Sequence, residues 1–306
     1  MKQTISRRNF LALAATMPVF INTSASATTM AAPGKKTVGI ALGGGGARGL
    51  AHVEMLAVLD ELGIRAHRIS GTSMGAVIAA LYAEGRSAAK IKSIVDAALT
   101  QHHGSIGFIR KEMLEWIDLV DPSIGKKSLL NTSDFISFIH DQIKAKTFAE
   151  LKIPLRVVAA DIQRREQVIL HKDDLATALK ASFAFPGLFD PVTIQDRTLV
   201  DGGIVNPVPY DLLLDECDIT IAVDVAGNDT YVPQAKHSFF EVIHESFQTM
   251  ENTILQAKMT DQPPGIYVKP DLVDIRLLDY PKAEEIYRQA RPAREQLKHS
   301  LQQLLV

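Results

Sequence analysis

Thr37-Val38-Gly39-Ile40-Ala41-Leu42-Gly43-Gly44-Gly45-Gly46-Ala47-Arg48-Gly49 is a short apolar run that ends in consecutive glycines. Residues 37–42 mix β-branched and small apolar side chains ahead of a turn, the pattern of a buried strand. Residues 47–62 then carry Leu50, Val53, Leu56, Ala57 and Leu59 at helical spacing. Strand, glycine turn and helix follow in order. A second unit of the same kind comes next: Arg68-Ile69-Ser70 ends a strand, residues 71–75 turn, and residues 76–83 form an apolar helix that stops at Gly85. Further out, residues 155–160, 167–170 and 219–225 predict strands, and 175–183, 239–259 and 282–305 predict helices. Strands alternating with helices imply an α/β domain with a mainly parallel sheet. Right-handed crossovers then gather the functional groups at the carboxyl ends of the strands.

Composition bounds what such a domain does. With 306 residues, 46% of them hydrophobic and 22% charged, the chain buries a sizeable core and is not disordered. A net charge of −2 offers no basic face for nucleic acid, so none is expected as a partner. The single cysteine, Cys217, excludes an intramolecular disulfide and a thiolate metal cluster.

Before the domain stands Ser6-Arg7-Arg8-Asn9-Phe10-Leu11, followed by an apolar stretch over 11–21 and then Ala25-Ser26-Ala27. The stretch is shorter than the ~20 residues a membrane span needs, and the pattern resembles a twin-arginine export signal. Residues 1–27 are expected to be cleaved and 28–36 to be a linker. The domain over 37–306 is then exported, to the periplasm. Losing Lys2, Arg7 and Arg8 leaves it at about −5. An amphiphilic N-terminal helix or an uncleaved anchor is the other reading. Residues 101–146, with His102-His103, Trp116 and a helix over 132–144 capped within 131–134, differ in character and predict an inserted cap. Its apolar Ile106, Phe108, Ile109, Met113 and Leu114 either pack on the core or cover a pocket, and Phe108 or Trp116 offers a weak peripheral membrane contact.

Three turns carry candidate chemistry. Gly71-Thr72-Ser73-Met74-Gly75 matches G-x-S-x-G between a predicted strand and a predicted helix. Glycines 71 and 75 give room for a strained serine at a helix N-terminus, where N–H groups stabilise developing negative charge. Gly44, Gly46 and Gly49 also satisfy the dinucleotide pattern G-x-G-x-x-G, a nucleotide-binding oxidoreductase reading. That reading wants an acid after the next strand, where the chain has Ile64-Arg65-Ala66-His67-Arg68. The other use of bare glycine backbone is an oxyanion hole, with Arg48 anchoring the loop. No histidine stands where a hydrolase triad needs one: His52 falls in the first helix, and His171 and His299 lie in polar surroundings. Asp201 in Val200-Asp201-Gly202-Gly203 is the candidate base, in a Ser-Asp dyad; its other reading is an ordinary turn aspartate.

In that order, Gly44-Gly45-Gly46-Ala47-Arg48-Gly49, Gly71-Thr72-Ser73-Met74-Gly75 and Asp201-Gly202-Gly203 resemble the patatin-like phospholipase family. Ala181-Ser182-Phe183-Ala184-Phe185-Pro186, with Phe189 and Pro191, agrees, and the layout is similar to bacterial members related to neuropathy-target-esterase catalytic domains. The resemblance implies a three-layer α/β/α fold and a serine lipid acyl hydrolase of phospholipase A, lysophospholipase or carboxylesterase type. It implies Ser73 as nucleophile, Asp201 as general base, the amides of Gly44, Gly45 and Gly46 as oxyanion hole, and no metal or organic cofactor. Arg48, Gly49, Gly71, Gly75, Gly202 and Gly203 become loop supports. A non-catalytic lipid-binding protein on the same fold is the remaining alternative.

Overall fold

β1 (Val38–Leu42) is buried along its whole length, as a central strand hidden on both faces should be. The computed structural model describes residues 36–100, 137, 139–227 and 239–305. β1 pairs in parallel with β2 (Arg68–Thr72) on one side and β7 (Ile219–Val223) on the other. β8 (Ile266–Val268) extends the sheet beyond β7, and β3 (Leu155–Asp161) extends it beyond β2, both in parallel. Antiparallel pairing is confined to one end, where β3 meets β4 (Glu166–Leu170) and β6 (Arg197–Asp201), and β6 meets β5 (Val192–Ile194).

The register along β3 positions the site. Val158 partners Thr72 on one edge and Ile169 of β4 on the other; Ala159 partners Val168 of β4 and Asp201 of β6. Each residue has two edges, so β2 and β6 lie end to end along the same edge of β3. β2 runs with β3 and β6 runs against it. Their carboxyl ends therefore meet at consecutive β3 residues, about 3.3 Å apart along the strand.

Both faces of the sheet are covered, giving the α/β/α layers of the fold. One face holds α1 (His52–Glu61), α2 (Met74–Ala83), α3 (Ala88–Thr100), α4 (Leu175–Ser182) and α6 (Ala283–Leu305), whose apolar side chains join Ile40, Leu42, Ile69 and Val157 in the main core. α2 is apolar all round and every residue is buried, so it lies directly on the sheet. α6 buries a stripe at helical spacing, Ile286, Tyr287, Ala290, Ala293, Leu297 and Leu301. The other face is thinner: Ala41 and Ala222 pack under Val208, Tyr210, Leu213 and Leu255, the last from α5 (Phe239–Asp261).

Two sequence expectations shift. The helix expected over 47–62 starts as a buried 3-10 segment, Gly46–Ala51, before α1. Gly46 sits at φ 56 with the Leu277 carbonyl where its Cβ would be, and the Ala47 N–H donates to that carbonyl at 2.8 Å. A long-range carbonyl thus satisfies an N–H that no turn of the helix could pair. α3, β5 and β8 carry no strong local pattern and were not foreseen. The export segment, the 28–35 part of the linker, and positions 101–136 and 138 of the cap lie outside the described residues. Ile139, within the cap region, and Phe148, just after it, are buried in the main core.

Candidate active site

Ser73 follows β2 directly and caps α2, with φ 55 and ψ −128. A non-glycine residue there costs about 1–3 kcal/mol and persists only where its surroundings hold it. The surroundings are close backbone. A Cβ on Gly71 would stand 2.6 Å from the Ala76 Cα, and one on Gly75 would overlap the Leu42 carbonyl oxygen and lie 2.5 Å from that of Gly43. The two glycines let α2 start against the end of β1.

The Ser73 N–H donates to Ser182 Oγ at 2.9 Å, and the Ser182 hydroxyl donates to the Val158 carbonyl at 2.6 Å. Ser182 closes α4, so this helix holds the strained residue against β3. The sequence carried Ser182 inside a family block without a role. Ser182→Ala leaves a buried N–H and a buried carbonyl unpaired, which is expected to cost about 1–3 kcal/mol. Chemical denaturation should show that loss, and turnover should fall roughly tenfold with KM little changed, because the reacting serine is what moves.

Asp201 reaches the same place from β6. Its carboxylate accepts a hydrogen bond from the Ser73 side chain and one from the Gly203 N–H at 2.9 Å. Its own N–H donates to the Ala184 carbonyl at 3.0 Å. Burial pushes its pKa up to about 6, with the bonds from Ser73 and Gly203 working against the rise. The group is thus ionised at neutral pH and more basic than an aspartate in water. Gly202 has no room for a side chain, since its Cβ would overlap the Val158 carbonyl. Thr72 Oγ1 and Ser70 Oγ, both on β2, donate to the Asn206 and Pro209 carbonyls at 2.8 Å. Lys258 of α5 donates to Asn206 Oδ1 and the Val208 carbonyl, and pairs with Asp211. The loop after Asp201 is therefore tied to the strand that carries Ser73.

The glycine loop lies opposite. A Cβ on Gly44 would stand 3.3 Å from the Ser73 Cβ. The expected trio of oxyanion donors needs a correction here: the Gly44 N–H is engaged by the Pro207 carbonyl at 3.0 Å. Among the described residues the N–H groups of Gly45, Gly46 and Met74 donate to no protein acceptor. Ser73 thus faces the space over Gly44 that a dinucleotide pyrophosphate would need, which disfavours the nucleotide reading. Arg48 is 3% exposed and donates from Nε to the Ile275 carbonyl at 2.7 Å, pinning the loop to the chain ahead of α6. Gly49 lets Met74 approach, its Cβ position lying 2.5 Å from Met74 Cγ. His52 bonds through Nε2 to the Gly43 carbonyl at 2.8 Å, and burial lowers its pKa to about 4. It is a neutral brace for the loop. A cleft of about 450 Å³ beside β4 includes neither Ser73 nor Asp201 in its lining.

The patatin-like phospholipase family model matches residues 40–214, more than half of the chain. The chain belongs to the patatin-like phospholipase family. It is 33% identical over 193 residues to an NTE family protein of Mycobacterium tuberculosis, covering 63% of this chain and 50% of that one. Patatin-like phospholipase domain-containing protein 6 of Homo sapiens is 32% identical over 197 residues, covering 63% of this chain and 14% of its own. Lysophospholipase NTE1 of Kluyveromyces lactis is 27% identical over 278 residues, 83% of this chain and 18% of its own. The chain thus spans half or less of the length of these relatives. Among solved structures, VipD from Legionella pneumophila aligns with a TM-score of 0.49 at 15% identity, over 86% of this chain and 67% of that one.

Proposed function

We propose that this protein is a serine lipid acyl hydrolase that cleaves carboxylic esters through a Ser73–Asp201 dyad. The observation that carries the reading is the strained Ser73 with its side chain bonded to a buried, basic carboxylate at the meeting of β2 and β6. Family membership and the name of the yeast lysophospholipase relative support a glycerolipid or simpler ester as substrate.

Asp201 takes the proton of the Ser73 hydroxyl as Oγ attacks the ester carbonyl. Negative charge passes to the carbonyl oxygen, where the amides of Gly45, Gly46 and Met74 and the α2 N-terminus stabilise it. The intermediate collapses, the alcohol leaves with the proton from Asp201, and the acyl group stays on Ser73. Water then attacks the acyl-enzyme, giving its proton to Asp201, and the carboxylic acid leaves as Ser73 regains its hydrogen. Only groups of the chain and water take part in these steps.

Fluorophosphonate labelling tests the reading and separates it from a lipid-binding protein without activity. Wild type should label at Ser73 and hydrolyse short-chain aryl esters. Ser73→Ala should take no label and lose at least about a thousandfold in turnover while staying folded. A folded wild type that neither labels nor hydrolyses any ester would leave the binding protein as the better reading. Export of the domain through the Ser6-Arg7-Arg8-Asn9-Phe10-Leu11 segment belongs to the same proposal.

A further inference from the structure

Behind the Asp201 turn lies a carboxyl that the proposed mechanism leaves unused. Glu251 stands on α5, and a Cβ on Gly203 would overlap its Oε1 while lying 3.3 Å from Asp201 Oδ1. The two carboxyls therefore sit within the ~4–6 Å range in which like charges oppose joint ionisation. Gly203 between them also donates its N–H to Asp201, so the absence of a side chain at this one position lets the helix carboxyl reach the dyad. Among the described residues, none donates a hydrogen bond to Glu251.

Charged groups face it from several elements: Asp201 from β6, Asp224 from the chain after β7 and Arg48 from the glycine loop. Tyr280, ahead of α6, faces Asp201. Asp224 is committed elsewhere, accepting from the Ala226 N–H at 2.8 Å and the Tyr267 hydroxyl at 2.6 Å, with Lys269 at 3.4 Å. Burial, then the charges of Asp201 and Asp224, push Glu251 up to about 8, against the pull of Arg48. Asp201 thus ionises first, and Glu251 gains its charge beside a carboxylate already present.

We propose that Glu251 is a positioning residue for the acid–base step, its charge state setting how strongly Asp201 binds the proton taken from Ser73. The inference rests on the Ser–Asp reading. During attack, negative charge moves from the Asp201 carboxylate to the ester oxygen as the proton moves from Ser73 Oγ to Asp201. A neutral Glu251 is indifferent to that transfer. An ionised Glu251 next to Asp201 repels the charge away from it, and the step speeds up.

The test is kcat and KM between pH 5 and 10 for the full chain on 1-naphthyl butyrate, with released naphthol quantified by chromatography. Wild type should rise in two steps, one near pH 6 and a second near pH 8 of roughly three- to tenfold in kcat with KM unchanged. Glu251→Gln should show the first step alone, and Glu251→Met, a second neutral variant, the same. A wild-type kcat that is flat between pH 7 and 9.5 overturns the inference without any variant. So does a second step that persists in either folded variant. Fluorophosphonate labelling of the same samples separates the two failures: an unlabelled Ser73 sinks the dyad, whereas labelled Ser73 without a Glu251-dependent step sinks this inference alone.

Discussion

Asp201→Asn is expected to lower turnover by about two to four orders of magnitude while making the fold more stable at pH 7.5. The amide keeps the shape of the carboxylate: its oxygen still accepts from the Gly203 N–H and its NH2 donates to Ser73 Oγ, so the local structure should survive. It cannot take the serine proton. The gain in stability follows from burial: the native pKa is raised from 3.8 to about 6. Between those values the native state holds a proton that the unfolded state has released. Stability is therefore intact below the unfolded value and declines as pH rises through about 6. At pH 7.5 the full penalty applies, about 3 kcal/mol, and asparagine does not carry it. Urea titrations of both proteins at pH 7.5 and pH 4 should show the variant ahead at the higher pH and the gap closing at the lower one. Wild-type turnover should climb through pH 6 as the base ionises. Full activity in a folded Asp201→Asn would mean that another group takes the proton.

Gly75→Ala should unfold the protein or cost at least about 4 kcal/mol, one of the largest effects a single methyl group produces. The added carbon overlaps the Leu42 carbonyl oxygen and comes 2.5 Å from that of Gly43, and neither backbone atom has room to yield. β1 is paired on both sides, and the Gly43 carbonyl also holds His52. Relief would require α2 to lift away, carrying Ser73 with it. Gly63→Ala is the matching control. Gly63 has a positive φ, 63, which Gly75 does not, and nothing lies within 4 Å of its Cβ position, so strain alone, about 1–2 kcal/mol, should appear. Thermal melts of the two variants compare backbone strain with backbone collision. Similar losses in both would mean that the end of β1 adapts far more than its pairing suggests.

The legible parts of the site are those built from neighbours in the chain. The turn at 71–75 could be read as a nucleophile elbow because the glycines that admit the strained serine stand two residues either side of it. The same holds for Gly202 and Gly203, which announce close approach beside Asp201. What approaches them was not legible. Gly202 lies on the Val158 carbonyl and Gly203 on Glu251, and neither partner has a local pattern that marks it. Ser182 was in view without a role, because its two hydrogen bonds run to Ser73 and Val158 on different strands. The expected oxyanion trio differs at Gly44 for the same reason: the Pro207 carbonyl that engages its N–H comes from a distant loop. The 3-10 start of the first helix has no local mark either: the Leu277 carbonyl that stands where a Gly46 Cβ would be comes from ahead of the last helix.

By itself the sequence determined the α/β class, the strand-turn-helix units around Gly43–Gly46 and Ser73, and the residue types available for chemistry. Those follow from steric limits and hydrophobic periodicity, which act over a few residues. Tertiary structure decided that Ser73 and Asp201 meet. β2 and β6 share one edge of β3 in opposite directions, so their carboxyl ends converge at Val158 and Ala159. It also decided how basic Asp201 is and which amides remain open, since desolvation and hydrogen bonding depend on what the rest of the chain packs around a group.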